Sequence, residues 1–185
     1  DRAALEAGEF YALVLVGALG AMVMAASRDL IMLFLGLETL SIPLYVLAAF
    51  ARGDLRAQEA GMKYFLLGAF STAFFLYGIA LSAVASAPPS LLLRIGTGLL
   101  LVGLSFKAAV VPFHAWAPDV YEGAPLPVTA YMAVIAKVGA FAAFLRVVPA
   151  LFGGVRDEWV VVLGVLSVLT MVLGNFAALL QPGVK

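Results

Sequence analysis

Three ionisable side chains lie inside long apolar runs, where their charge is expensive: Glu38, Lys107 and Lys137. Glu38 is eight residues into the run Leu30 to Ala51, about 12 Å deep at a helical rise of about 1.5 Å per residue. Lys107 follows Ile95 by twelve residues, and Lys137 is near the centre of the run Val128 to Val148. A charge at the bilayer centre costs about 2.5–3.5 kcal/mol on insertion scales. Three would cost on the order of 8–10 kcal/mol, comparable with the whole stability of many proteins. Desolvation disfavours the charged form of an amine and a nearby carboxylate favours it. A Glu–Lys–Lys series at one depth can therefore hold and release protons as a relay. The structural alternative is a buried Glu38–Lys107 ion pair that fixes helix register, in which Lys137 has no place.

The neighbours fit a working site. Glu38, Ser41 and Tyr45 are spaced i, i+3, i+7 and share one helix face. Pro43 and Pro112 each come five residues after an ionisable group, Glu38 and Lys107. Proline lacks an N–H, so the carbonyls of Thr39 and Ala108 lose their usual helical partners. Both prolines are read as helix breaks, where free carbonyls and water can be accommodated beside the charge. Lys63, four residues after Glu59, either snorkels to the interface or faces inward. His114, just past the second break, can pass protons near neutral pH or serve as a hydrogen-bonded structural histidine. Asp119 and Glu122 read as surface groups that cap a helix or pair with another subunit.

The elements that must position these groups are membrane spans. Of the 185 residues 64% are apolar and only 12% charged, against about 45–50% and about 25% in ordinary soluble domains. A span needs about 20 mostly apolar residues, and six candidates follow: Phe10 to Ala26, Leu30 to Ala51, Gly61 to Ala87, a fourth from Ile95 that contains Lys107, Pro112 and His114, Val128 to Val148, and Trp159 to Leu180. The stretch Trp116 to Pro127, with three prolines, reads as a loop. The predicted fold is thus an all-α polytopic transmembrane bundle whose fourth helix is broken near Lys107–Pro112. Gly17/Ala21 and Gly139/Ala143 have the small-xxx-small spacing of close helix packing. Basic residues divide evenly between alternate loops, so the positive-inside rule gives no orientation.

Other classes are excluded. Eleven basic and eleven acidic residues cancel and no basic run exists, which argues against nucleic acid as a partner. With no cysteine and one histidine there is no thiolate metal site, cysteine-held iron–sulfur cluster or bis-histidine haem. No cofactor or metal is expected on this chain, and a redox role would borrow its cofactors from another. Asp at position 1 and the loop-like ending Gln181-Pro182-Gly183-Val184 lead to the expectation of a fragment of a longer membrane protein.

The stretch FKAAVVPFHAWAPDVYEGAPLPVTAYMAVIAK, Phe106 to Lys137, resembles the antiporter-like membrane subunits of NADH–quinone oxidoreductase, respiratory complex I. LGLETLSIPLYVL and MKYFLLGAFSTAFFLYGIAL are similar to its N branch more than to the L and M branches. The resemblance extends from about Asp29 to Arg146. It implies a fourteen-helix subunit built from two inverted five-helix repeats, with residues 1–149 as the first repeat and 150–185 as the following span, the start of a second repeat. By matching motif, Glu38 is the glutamate of LETLS, Lys107 the lysine of the broken helix, Lys137 the lysine leading toward the membrane centre, and Lys63 the channel-region lysine of KYFLLG. The resemblance implies NADH, FMN, iron–sulfur clusters and quinone on partner subunits, and as partners the other membrane subunits, the lipid bilayer and protons. It implies a location in the bacterial cytoplasmic membrane. The function expected is proton translocation within the oxidoreductase. The alternatives are a subunit of a cation/proton (Na+/H+) antiporter and a structural membrane anchor with buried ion pairs.

Overall fold

Short polar turns divide the apolar runs, and their side chains start the helices that follow. A computed structural model describes residues 8–85, 90–151 and 156–181. Its helices are α1 (Gly8–Ala26), α2 (Leu30–Ala48), α3 (Leu55–Val84), α4 (Leu91–Ala108), α5 (Trp116–Gly123), α6 (Leu126–Leu151) and α7 (Arg156–Leu179), with no strand among the described residues. All but α5 are long and apolar enough to cross a membrane. The Asp29 carboxylate accepts from the Met32 N–H at 2.8 Å, the Asp54 carboxylate from Arg56 at 2.9 Å, and the Ser90 hydroxyl from Leu93 at 3.2 Å. Each cap satisfies one backbone donor that the first helical turn leaves without a partner.

These caps correct several sequence-based boundaries. α3 begins at Leu55 rather than near Gly61, because Asp54 caps it and Arg56-Ala57-Gln58-Glu59 are good helix formers. α4 begins at Leu91 rather than Ile95, and α2 ends at Ala48 rather than Ala51. The expected end of the third span at Ala87 lies outside the described residues. The stretch read as a loop, Trp116 to Pro127, is mostly helical. Pro118 is tolerated in the first turn of α5 and Pro127 in that of α6, where no intrahelical N–H bond is lost.

The two proline breaks fare differently. Pro43 lies inside a continuous α2, so no break occurs there. The fully buried Leu40, Leu44 and Leu47 hold the helix on both sides of it, and their packing outweighs one missing hydrogen bond. The second break is real but is made upstream of Pro112. α4 ends at Ala108, with Ala109 left-handed at φ 59° and ψ 42°. The Ala109 N–H donates to the Phe106 carbonyl at 3.0 Å and the Val110 N–H to the Ser105 carbonyl at 2.8 Å, the double closure of a Schellman motif. Pro112 and His114 therefore lie outside α4, in the non-helical segment 109–115.

α2 packs against α1, α3 and α6, while α4 packs against α3 and α6, and the short α5 lies against α3 and α6. Glycine sets the closest approach. A Cβ on Gly20 would be 2.3 Å from the Leu40 backbone nitrogen, and one on Gly36 would be 2.8 Å from that of Met24. α1 and α2 thus touch backbone to backbone. The Gly17/Ala21 pair faces α6 instead, toward Tyr131 and Gly139. Outward positions such as Leu15, Leu19, Ile31, Leu35, Phe70 and Leu145 are large, apolar and exposed, as a lipid-facing surface requires. α7 has none of its span buried.

Two outcomes follow. Gly20→Ala should destabilise the protein by about 1–3 kcal/mol or more through overpacking, whereas Gly53→Ala, with nothing within 4 Å of the added Cβ, should be close to neutral. Denaturant unfolding in detergent compares them directly. In the same assay Ala109→Gly should be stabilising by up to about 1 kcal/mol, since an L side chain in the left-handed region costs about 1–2 kcal/mol and glycine's extra chain entropy returns part of that.

Candidate functional site

Lys107 is in the last turn of α4, where the exposed carbonyl end of the helix favours a positive charge. It is 2% exposed. Among the described residues no carboxylate comes within ion-pairing distance of it. Its Nζ instead donates to the Tyr64 hydroxyl at 3.3 Å and lies over the rings of Tyr45 and Tyr64, at 5.4 and 5.2 Å from their centroids. A desolvated cation–π contact is worth about 2 kcal/mol or more. Two faces and a helix C-terminus are thus of the size needed to offset the about 2.5–3.5 kcal/mol that the charge costs in the membrane.

Tyr64 carries the site onward. Its ring meets Tyr45 edge-on at 4.8 Å and stacks flat on Trp116, 4.5 Å away at an interplanar angle of 13°. Trp116, 1% exposed, opens α5 and donates its indole Nε1–H to the Phe106 carbonyl at 2.9 Å. That bond ties α5 back onto the end of α4. Trp116 meets Tyr121 edge-on at 5.9 Å. The half-buried Lys137 of α6 donates to the Tyr121 hydroxyl, and its Nζ lies 5.2 Å from the Trp116 centroid and 5.0 Å from that of Tyr121. Lys107 and Lys137 therefore occupy the two ends of one aromatic stack, Tyr45–Tyr64–Trp116–Tyr121.

Glu38 is bonded to α3 and not to Lys107. The Thr72 hydroxyl of α3 donates to its Oε1 at 2.9 Å. A small cavity of about 10 Å³ is bordered by both Thr72 and Lys107, with Ser41, Tyr45 and Ser71 among its other walls. The buried Glu38–Lys107 ion pair considered from sequence is not formed.

His114 lies in the non-helical segment, with its Nδ1 buried and without a hydrogen-bond partner. It borders a separate cavity of about 540 Å³ shared with Tyr121, Glu122, Lys137 and the end of α7. His114 is thus grouped with Lys137 and not with Lys107. Lys63 is away from both cavities: its half-exposed Nζ pairs with Glu59 and with Asp119 of α5, each at 2.8 Å. Asp119 therefore has its partner within this chain. Among the described residues no cluster of three or more His, Asp or Glu side chains could hold a metal.

Tyr64, Trp116, Tyr121 and Thr72 were not singled out from sequence. One signal was available: Tyr64, Gly68, Ser71, Thr72 and Phe75 are small, polar or aromatic at helical spacing, which marks the inward face of α3. Gly68 leaves room for the Tyr45 hydroxyl, which would be 2.1 Å from an added Cβ.

Residues 27–185 match the family model described as NADH:quinone oxidoreductase/Mrp antiporter, transmembrane. The chain belongs to this family. It is 48% identical to NADH-quinone oxidoreductase subunit N of Trichlorobacter lovleyi, an alignment covering 96% of this chain and 40% of that protein. With subunit N of Moorella thermoacetica the identity is 45%, covering all of this chain and 42% of the relative. Among solved structures, respiratory complex I from Thermus thermophilus with bound aureothin superposes with a TM-score of 0.79 at 48% identity, over 94% of this chain and 40% of the matched one. The Mrp complex from a Dietzia species gives the same TM-score at 26% identity, over 91% and 34%. This member of the NADH:quinone oxidoreductase/Mrp family thus spans about two fifths of the length of the oxidoreductase relatives and about a third of the Mrp chain, and it is a multi-pass membrane protein.

The aromatic stack makes a graded prediction. Trp116→Ala should cost about 3–5 kcal/mol, as for other buried tryptophans. Trp116→Phe, which keeps a ring against Tyr64 but loses the bond to Phe106, should cost clearly less. Thermal unfolding of the full-length protein in detergent measures both.

Proposed function

We propose that this chain is part of a proton-translocating membrane subunit of an NADH–quinone oxidoreductase, and that Glu38, Lys107 and Lys137 relay the protons. The observation that carries this reading is the environment of Lys107: a lysine buried at membrane depth, held by a phenol and two ring faces instead of a carboxylate, on one stack with Lys137. A permanent ion pair would lock a proton in place. An ammonium held by hydrogen bonding and ring faces can change its charge without stranding an opposite one. A carboxylate at Glu38 drawn nearer favours the charged lysine, and one drawn away favours release. Lys137 receives the proton on the far side of the stack and faces the larger cavity, which His114 and Glu122 also line. Lys63 acts more remotely, by fixing α5 through Asp119.

In this reading residues 1–149, which hold α1 to α5 and all but the last two residues of α6, form one repeat of an inverted pair, and residues 150–185, which hold α7, begin the second. Electron transfer belongs to partner subunits that carry NADH, FMN, iron–sulfur clusters and quinone. The complex resides in the bacterial cytoplasmic membrane, with other membrane subunits and lipid around this chain. The similarity to the Mrp complex favours one second reading, a subunit of a cation/proton antiporter. The lower identity to that structure makes it the weaker of the two.

The test is proton uptake into vesicles that contain the assembled complex with the full-length subunit, wild type against Lys107→Met, with NADH oxidation followed in parallel. Loss of uptake in intact complexes is expected. Normal uptake per assembled complex would reduce Lys107 to a structural charge and sink the relay. Proton movement driven by a sodium gradient without NADH would favour the antiporter reading.

A further inference from the structure

The groups around the small cavity beside Lys107 have an unusual balance of donors and acceptors. A carboxylate only accepts hydrogen bonds and a hydroxyl has a single proton to give. Thr72 gives its proton to Glu38 Oε1 at 2.9 Å. Ser41 gives its own to the Leu37 carbonyl, and Ser71 to the Gly103 carbonyl at 3.4 Å. Of the four hydroxyl-bearing residues around the small cavity, Ser41, Ser71 and Thr72 have thus spent their donors within the protein and offer lone pairs to its interior, and Tyr45 is the fourth. Opposite them Lys107 gives one proton to Tyr64 and keeps two more to donate. At about 10 Å³ the cavity is about the size of one water molecule. Water is the occupant that fits: it accepts from the ammonium and donates to two hydroxyl oxygens. An anion would face lone pairs on three sides.

We propose that Thr72 holds Glu38 away from Lys107 and passes the proton between them, and that Ser41, Ser71 and Thr72 bind one water molecule bridging Thr72 to Lys107. The inference rests on the relay reading above and deepens it. A proton leaves the Lys107 N–H for the water oxygen, the water gives one of its own protons to Thr72 Oγ1, and the Thr72 hydroxyl proton passes to Glu38 Oε1. The ammonium becomes an amine, the carboxylate a carboxylic acid, and the water is regenerated. The sum of charges is unchanged, so no net charge is left in the low-dielectric interior. Reversing the order of bonds resets the site. Direct contact between Glu38 and Lys107 would bypass the water, and the Thr72 bond is what prevents that contact.

The experiment uses the full-length subunit in the assembled complex, with Thr72→Val and Thr72→Ser beside Lys107→Met. Thr72→Val keeps the shape and removes the hydroxyl. Its proton uptake per NADH oxidised is expected to fall to the level of Lys107→Met, and Thr72→Ser is expected to restore it. Infrared difference spectra should show the carboxyl band of Glu38, identified by its loss in Glu38→Gln, shifted in Thr72→Val and unshifted in Thr72→Ser. A fold-maintaining role alone would lower assembly and move neither readout per assembled complex. Normal uptake in Thr72→Val, equal losses in Val and Ser, or an unmoved band would each overturn the inference. Should Thr72→Val fail to assemble, Ser41→Ala decides, with lowered uptake in support and unchanged uptake against. If Lys107→Met itself pumps normally the relay falls; if it fails while Thr72→Val pumps, only the role of Thr72 and its water falls.

Discussion

Keeping a cation inside a bilayer is the constraint on which the rest of this structure turns. Bulk water is not there to solvate it, and an opposite charge at contact would immobilise it. The protein meets the requirement with polarisable surfaces. Tyr45 and Tyr64 receive Lys107, and Trp116 and Tyr121 receive Lys137. Because aromatic rings need flat partners and fixed separations, the three helices that contribute them, α2, α3 and α5, are placed by the stack as much as by their apolar stripes.

That requirement explains the unusual course of the chain after α4. Trp116 must reach Tyr64 while its indole N–H finds an acceptor, and the one it finds is the Phe106 carbonyl. A continuous helix would carry residue 116 about 15 Å along the axis from residue 106. Ending α4 at Ala108 and turning through 109–115 brings the two together instead. The glycine contacts of α1 with α2 and the ion pair of Lys63 with Asp119 then hold the surrounding helices and α5 around the stack.

The legible part of this arrangement was the part that violates a rule. Glu38, Lys107 and Lys137 were visible because charge in an apolar run is costly, and the spans were visible because apolar runs of that length have few other uses. The aromatic residues broke no rule: tyrosine and tryptophan in a membrane sequence can face lipid, interface or core, and only tertiary contact distinguishes them. Thr72 and Asp119 find their partners across 34 and 56 residues of sequence, a distance no local pattern spans. Pro43 misled for a related reason. The cost of a missing hydrogen bond is local, whereas the packing of Leu40, Leu44 and Leu47 that outweighs it is not.

The segment where the chain leaves α4 has a polarity of its own. The N–H groups of Ala109 and Val110 are bound to carbonyls, that of Val111 is bound to the Thr170 hydroxyl of α7 at 3.1 Å, and Pro112 has none. Four consecutive residues at the interruption thus offer no free donor. Whatever backbone capacity remains at these four residues is oxygen, so the gap in the helix is negative in character where the chain leaves α4. It is a lining that welcomes positive charge and turns away negative charge, made without spending a single acidic side chain.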